Sequence, residues 1–142
     1  MNKNIIVAGG RDFDDYQLLS EKLDKLFQNI TPTIICGEAN GADLLGRRYA
    51  REHNLMIRSF PANWKELGKK AGFVRNEVMA EVADGLVAFW DGKSKGTKHM
   101  IETMQKMNKP VRIIRYEIKT KSKKYREPPN DYYNYYNEML NG

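Results

Sequence analysis

Residues that build disulfides, zinc sites and membrane spans are scarce in this chain. Cysteine occurs once, as Cys36, so an intrachain disulfide is excluded, and one cysteine with two histidines is too few for a closed zinc site. No apolar run approaches the roughly 20 residues that a membrane-spanning helix needs. Since no secretory stretch is recognisable either, the sequence predicts a cytoplasmic protein with neither a membrane segment nor a bound metal.

The charge balance is modestly basic. The 142 residues include 24 Lys and Arg against 18 Asp and Glu, a formal net charge of +6. The excess lies within residues 1–116 rather than in a basic tail. Such an excess is compatible with phosphates on a small ligand, with nucleic acid, or with solubility alone.

Short apolar runs alternate with helical stripes over residues 1–116. The runs predict five strands, at 4–8, 33–36, 55–60, 86–89 and 111–114. Helices are predicted between them, with 63–72 as a connecting segment that has room for a short helix. This alternation predicts an α/β fold: a single Rossmann-like domain with a five-stranded, mainly parallel sheet and helices on both faces.

Two local patterns predict where the first helix begins and which face of a later helix is buried. Asp14 and Gln17, three residues apart, resemble a capping box at the start of the first helix. In the helix before the fourth strand, Ala71 and the valines at 74, 78 and 82 recur at helical spacing, which predicts that they face the core.

Residues 117–142 differ in composition from the domain that 1–116 is predicted to form. This C-terminal extension has a basic stretch over 119–126 and ends in a tyrosine-rich stretch with Tyr132, Tyr133, Tyr135 and Tyr136. Tyrosines at this density favour packing back on the domain, a subunit contact in a homo-oligomer, or a stacking surface for bases.

Two glycine-containing loops are expected to meet at one point. If the strand order is 3-2-1-4-5, the ligand crevice of an open parallel sheet lies between the first and fourth strands. The candidate ligand residues in the loops after these strands are Gly9, Gly10, Arg11, Asp12 and Phe13, and Trp90, Asp91, Ser94, Gly96, Thr97 and Lys98. Glycines admit close backbone approach to a phosphate, and a helix predicted to start at Thr97, directly after Gly96, offers unpaired amides. Arg11 and the lysines at 93, 95 and 98 would add cationic donors; the other interpretation is turn glycines and an exposed loop.

Further candidates lie in the loop after the second strand and on the following helices. The loop contributes Gly37, Ala39, Gly41 and Asp43, and the helix before the fourth strand contributes Arg75 and Asn76 on its polar flank. Asp43 is placed either to compensate the helix dipole or to accept a ribose hydroxyl. The Arg75 guanidinium suits a phosphate, although both flank residues are also compatible with a solvated face. Trp90 either stacks on a base or covers the core.

No standard catalytic or nucleotide fingerprint is present. The glycine loops complete neither G-x-G-x-x-G nor a Walker-type P-loop. His53 and His99 have no partnered nucleophile or carboxylate in the sequence, and Cys36 ends a buried strand. The catalytic residues are therefore left unassigned, and no cofactor is predicted.

Four motifs in order resemble the YspA/YpsA-related SLOG proteins, over about residues 4–115. They are Gly9-Gly10-Arg11-Asp12-Phe13, the segment from Gly37 to Asp43, Arg75-Asn76, and the segment from Phe89 to Thr97. The wider group includes the Lonely Guy phosphoribohydrolases and the DNA-processing protein DprA. The resemblance implies a Rossmann-like domain that binds nucleotides or nucleotide-derived signals, including NAD and ADP-ribose relatives. It places Gly9, Gly10 and Arg11 in the first ligand loop, and Gly96 and Thr97 at a phosphate-binding helix start.

One departure from the Lonely Guy motif separates the possible functions. The glutamate that helps those enzymes to cleave an N-glycosidic bond corresponds to Met100 here, and Glu102 lies on another helical face. The leading hypothesis is therefore non-covalent binding, for sensing or sequestration, of a phosphate-bearing nucleotide or nucleotide sugar. The alternatives are an N-glycosidic hydrolase that uses Asp12, Glu38, Asp43 or Asp91, and nucleic-acid binding.

Overall fold

Each strand is followed by one or two helices, up to the last strand, along residues 2–117, the part of the chain that the computed structural model describes. The elements are β1 (Asn2–Gly9), α1 (Tyr16–Leu26), β2 (Thr31–Gly37), α2 (Ala42–Glu52), β3 (Ile57–Phe60), α3 (Trp64–Leu67), α4 (Ala71–Val82), β4 (Gly85–Trp90), α5 (Lys95–Lys106) and β5 (Val111–Arg115). A 3₁₀ turn at Gly68–Lys70 joins α3 to α4. All five predicted strands are confirmed, with ends that differ by up to two residues.

The five strands form one parallel sheet in the order β3-β2-β1-β4-β5. β1 lies at its centre, where Ile6 is paired with Ile35 of β2 and with Leu86 of β4. The chain therefore reverses its direction of travel across the sheet between β1 and β4, as predicted. In such a sheet the loops that follow these two strands diverge and leave a crevice at their carboxyl ends.

Two apolar layers cover the sheet, which makes the fold Rossmann-like with helices on both faces. On one face Met79 of α4 and Met100 and Met104 of α5 pack against Ile6 and Ile35. The core on the other face contains Val7, Leu19, Leu23, Tyr49 and Phe89, under α1 and α2. Because both faces of the sheet are covered, every residue of β4 is apolar and buried. Each fully buried side chain of this kind stabilises the fold by roughly 1.5 to 3 kcal/mol.

The start of α1 differs from the predicted capping box. Asp15, not Asp14, is the N-cap, and its carboxylate accepts a hydrogen bond from the Leu18 amide at 3.0 Å. Gln17 instead donates to Glu21 along the helix at 3.3 Å. The helix thus begins one residue later than the pattern indicated.

The predicted inward stripe of α4 is wrong for two of its three valines, whereas Val82 packs against the core. Val74 and Val78 are 39% and 42% exposed, whereas the buried residues of the helix are Ala71, Asn76, Met79 and Ala80. Small alanines let the helix lie close to the sheet, and the Asn76 side chain is held by α5. These contacts fix the rotation of the helix, so that two β-branched residues face outward.

The predictions for the C-terminal extension fall outside the described residues, which end at Glu117. Over the described part of the chain, no helix has both the length and the apolar character required to cross a bilayer.

Candidate functional site

The loops after β1 and β2 are joined into one unit at the carboxyl edge of the sheet. The Gly10 carbonyl accepts hydrogen bonds from the amides of Phe13 and Ala42, each at 3.2 Å. Gly41 has a φ of +76°, and a side chain there would overlap the backbone of Gly10 and Arg11. A residue without a Cβ is therefore required for α2 to begin against the first glycine loop.

The loop after β4 is organised by its own polar groups. The Asp91 carboxylate accepts from the amides of Lys93 and Ser94, both at 2.8 Å. The buried Trp90 indole donates to the Ser94 carbonyl at 3.1 Å. These bonds hold Ser94 as the N-cap of α5, where its hydroxyl accepts from the Thr97 amide at 3.4 Å.

Helix α5 consequently begins at Lys95, two residues before the predicted start, and Gly96 lies within its first turn. The amides of Lys95 and Gly96 have no intrahelical acceptor, because the first turn of any helix leaves its donors unpaired. Ser94, Gly96 and Thr97 line the crevice, so the positive end of the helix dipole faces it.

Asn76 connects α4 to the start of α5. Its side-chain amide donates to the Gly96 carbonyl at 3.2 Å and lies 3.2 Å from Nδ1 of His99, while its carbonyl accepts from Nε of Arg75. The residue is buried, which excludes for Asn76 the alternative of a solvated face. His99 in turn stacks on Phe73, with ring centroids 4.2 Å apart. Asn76 therefore positions the first turn of α5 and the Arg75 guanidinium together.

The side chains of Asp43 and Arg75 lie close together beside Gly37. Burial raises the pKa of Asp43 to about 7, against the lowering effects of the nearby Arg75 charge and of a 3.3 Å hydrogen bond from the Ala39 amide. Arg75 packs directly over Gly37, where a Cβ would overlap the guanidinium. Near neutral pH the carboxyl can take up a proton, which leaves the Arg75 charge available to an anion.

The crevice between the two glycine loops is a cleft of about 640 Å³. Four cationic side chains line it, from Arg11, Lys69, Arg75 and Lys93, with three acidic ones from Asp12, Asp43 and Asp91. Two of the carboxylates are engaged locally, since Asp91 holds loop amides and Asp12 accepts from the Tyr116 hydroxyl at 3.2 Å. With four cationic against three acidic side chains, the cleft lining has a net positive formal charge, so we describe the cleft as electropositive.

A second cavity of about 560 Å³ adjoins this cleft on the β3 side. The two share Arg11, Ala39, Trp64 and Arg75 as lining residues. The second cavity is completed by Glu38, Asn40, Pro61 and Ala62. Both arginines therefore lie where the two cavities meet, along a groove that follows the carboxyl edge of the sheet.

Within residues 2–117, no group of three or more His, Cys, Asp or Glu side chains is arranged to hold a metal ion. The polar groups that line the cleft are amides, guanidinium and ammonium groups, hydroxyls and carboxylates.

Comparison with known proteins adds two observations. Residues 3–67, which carry the first two loops, match the family described as "YspA, cpYpsA-related SLOG family". The Gene 61 protein of Mycobacterium phage D29 is 32% identical over 117 residues, covering 77% of this chain and 94% of that protein. This chain belongs to the YspA/cpYpsA-related SLOG family. No solved structure gives a match.

Most of the predicted ligand residues of this SLOG domain come together. Those that line the cleft are Gly9, Gly10, Arg11, Asp12, Ala39, Asp43, Arg75, Asn76, Asp91, Ser94, Gly96 and Thr97. They come from β1, α2, α4, α5 and three loops, which only the strand order brings to one edge.

The other five predicted ligand residues do not line the cleft of the SLOG domain. Phe13 and Trp90 are buried, and Phe13 stacks on Phe89 with a centroid distance of 4.9 Å. Neither ring is therefore open to a base in this arrangement. Gly37 and Gly41 serve the close packing described above, and Lys98 is exposed on α5 without lining the cleft.

Several residues that line the cleft of this SLOG domain were not predicted as ligand residues from the sequence. They are Ala8, Trp64, Lys69, Gly72, Phe73, Met79 and Met100, together with Lys93, which was treated only as a donor at the mouth. Trp64, half-exposed at the rim of both cavities, carried the clearest signal: an aromatic residue in an otherwise polar connecting segment. Met100 is buried and presents an apolar surface to the cleft.

Proposed function

We propose that this SLOG domain binds a phosphate-bearing nucleotide without covalent chemistry. The observation that carries the proposal is the convergence of the Gly9-Gly10 turn, the first turn of α5 and the Arg11 and Arg75 side chains on one electropositive cleft. Backbone amides at a helix start and guanidinium groups are the donors that phosphate oxygens accept best in proteins.

Within that class, the two adjoining cavities favour a nucleoside diphosphate linked to a second sugar, as in ADP-ribose and NAD. Each cavity alone has a volume within the range of about 300 to 1,000 Å³ typical of a site for one small molecule. Arg11 and Arg75 stand at their junction, where a central diphosphate would lie. Glu38 and Asn40 in the second cavity supply acceptors for sugar hydroxyls.

Binding is favoured over N-glycosidic hydrolysis by the surroundings of the carboxylates. Met100 occupies the place of the catalytic glutamate, and Asp12, Asp43 and Asp91 accept hydrogen bonds from the protein itself. Glu38 is exposed in the second cavity, away from the first turn of α5. Each of the three carboxylates that line the cleft is thus engaged by one of the protein's own donors.

Calorimetric titration with AMP and with ADP-ribose tests both levels of the proposal. ADP-ribose is expected to bind more tightly than AMP. Arg11→Ala should weaken both by about tenfold to a hundredfold, the equivalent of a lost charge-assisted hydrogen bond of about 1.5 to 3 kcal/mol. Glu38→Gln should weaken ADP-ribose alone. Arg112→Ala, an exposed arginine of β5 outside both cavities, is the matched control.

The outcomes separate cleanly. Absence of affinity for either nucleotide, or an Arg11→Ala variant that binds like the parent, contradicts the proposed site. Equal affinities for AMP and ADP-ribose contradict only the two-part ligand.

Chromatography of the recovered nucleotide then distinguishes binding from hydrolysis, because a glycosidase would release free base. Tighter binding of a single-stranded oligonucleotide, with a steep salt dependence, would favour nucleic acid instead.

A further inference from the structure

Trp64 differs from every other aromatic side chain of residues 2–117, because it takes part in no aromatic pair and no cation–π contact. The others each pair with a ring or lie beneath an arginine: Phe13, Tyr16, Phe27, Tyr49, Phe60, Phe73, Phe89, Trp90 and Tyr116. Single exposed apolar side chains are common on protein surfaces. Trp64, which is 52% exposed, is set apart by where it lies.

The indole lies at the rim shared by the two cavities of the candidate site and lines both of them. One edge of its six-membered ring faces Gly72 of α4, where a Cβ would lie 3.5 Å from Cη2. Asn63 holds the start of α3 by accepting a hydrogen bond from the Glu66 amide at 3.3 Å. Because the ring meets α4 by its edge and is half-exposed, ring surface is left for a ligand in the cleft.

Helix α4 places this ring one turn away from Arg75. Gly72 and Arg75 both line the cleft and are three residues apart, so they share a face of the helix. At 1.5 Å per residue they are separated by about 4.5 Å along the axis. In a 5′-nucleotide one ribose separates the base from the phosphate, which is a comparable span. A phosphate held by Arg75 therefore brings its base to the ring that faces Gly72.

We propose that Trp64 stacks on the base of the bound nucleotide, which assigns the base to the first cavity and makes the site favour purines. This inference rests on the proposed function. Every base has a flat π-face that an aromatic side chain can cover, and the two fused rings of a purine cover more of an indole than a single ring does. Phe73, the other aromatic side chain that lines the cleft, already has one face covered by His99.

Comparison of AMP with ribose 5-phosphate measures the contribution of the base, since the two share the sugar and the phosphate. AMP should bind the parent protein more tightly than ribose 5-phosphate or CMP. Trp64→Ala should weaken AMP by about fivefold to a hundredfold, the range for loss of one base–aromatic stack, and leave ribose 5-phosphate unchanged. Trp64→Phe keeps an aromatic ring and should recover most of the AMP affinity.

A control variant and a spectroscopic signal separate stacking from a structural role of the side chain. Leu67 lies on the same short helix and is 42% exposed, but it lines neither cavity, so Leu67→Ala should bind AMP like the parent. AMP should quench the tryptophan fluorescence of the parent. In Trp64→Phe only the buried Trp90 emits, and no quenching is expected. Circular dichroism checks that each variant is folded.

The results distinguish this inference from the proposed function. A parent protein that binds neither AMP nor ADP-ribose overturns both. Three results overturn stacking on Trp64 but leave the nucleotide site standing: AMP that binds without quenching, a Trp64→Ala variant that binds AMP like the parent, or an equal loss of affinity for AMP and ribose 5-phosphate. Equal affinities of the parent for AMP and CMP overturn the preference for purines.

Discussion

Removing the buried charge of Asp43 should make the protein more stable at neutral pH and above. The side chain is only 5% exposed, and burial raises its pKa from 3.8 to about 7. At about 1.4 kcal/mol per pKa unit, the ionised carboxylate costs up to about 4 kcal/mol of folding free energy above pH 7. Asp43→Asn removes that cost, and its amide oxygen can still accept from the Ala39 amide.

The sign of the pH dependence follows from proton binding. Between pH 3.8 and about 7 the folded state holds a proton on Asp43 that the unfolded state has lost, so stability falls as pH rises through this window. Below it, both states are protonated and the charge makes no difference. The advantage of Asp43→Asn over the parent should therefore grow from near zero at pH 4 to its full value at pH 8.

Urea unfolding of parent and variant at several pH values between 4 and 8 measures this difference, and the titrations of the other groups largely cancel. Asp14→Asn, at an exposed carboxylate next to α1, is the control for the same exchange outside the cleft. An Asp43→Asn advantage that is constant from pH 4 to pH 8, or a variant less stable than the parent at pH 8, would refute the reasoning.

Two further predictions concern the same edge of the sheet. ADP-ribose should bind several-fold more tightly at pH 6 than at pH 8, because at pH 6 Asp43 is protonated and no longer repels the phosphate beside Arg75. The diphosphate of ADP-ribose itself does not titrate between these pH values. Calorimetry should find a smaller pH dependence of the affinity in Asp43→Asn. Ser94→Ala removes the N-cap of α5 and should lower the free energy of unfolding by about 1 kcal/mol, whereas Ser20→Ala within α1 should not; a thermal melt of Ser94→Ala that matches the parent would contradict the capping role.

Local patterns in the sequence predicted the elements and their order well. Short apolar runs predicted the strands, because a strand in a parallel sheet that is covered on both faces carries apolar side chains at successive positions. Element ends were less well placed. The start of α5 depends on Ser94 being held by Asp91 and Trp90, and the start of α1 on which of two adjacent aspartates reaches the Leu18 amide.

The rotation of α4 could not be predicted from its valines. The spacing of Val74 and Val78 is the spacing of a core stripe, yet both face outward. Asn76, Met79 and Ala80 are buried with the predicted Ala71, and the bond from Asn76 to the Gly96 carbonyl of α5 holds the helix in this rotation. A helix with apolar residues on two faces leaves this choice to its neighbours.

By itself, the sequence determined the α/β alternation, the glycine turns and the cationic side chains near them, since these depend on local propensity and on hydrophobic pattern. Tertiary structure alone decided which of these residues share a cleft, that Trp64 borders it, and that Asp43 is buried beside Arg75 with a raised pKa. Burial and proximity arise from segments that lie far apart along the chain, and no local pattern records the distance between them.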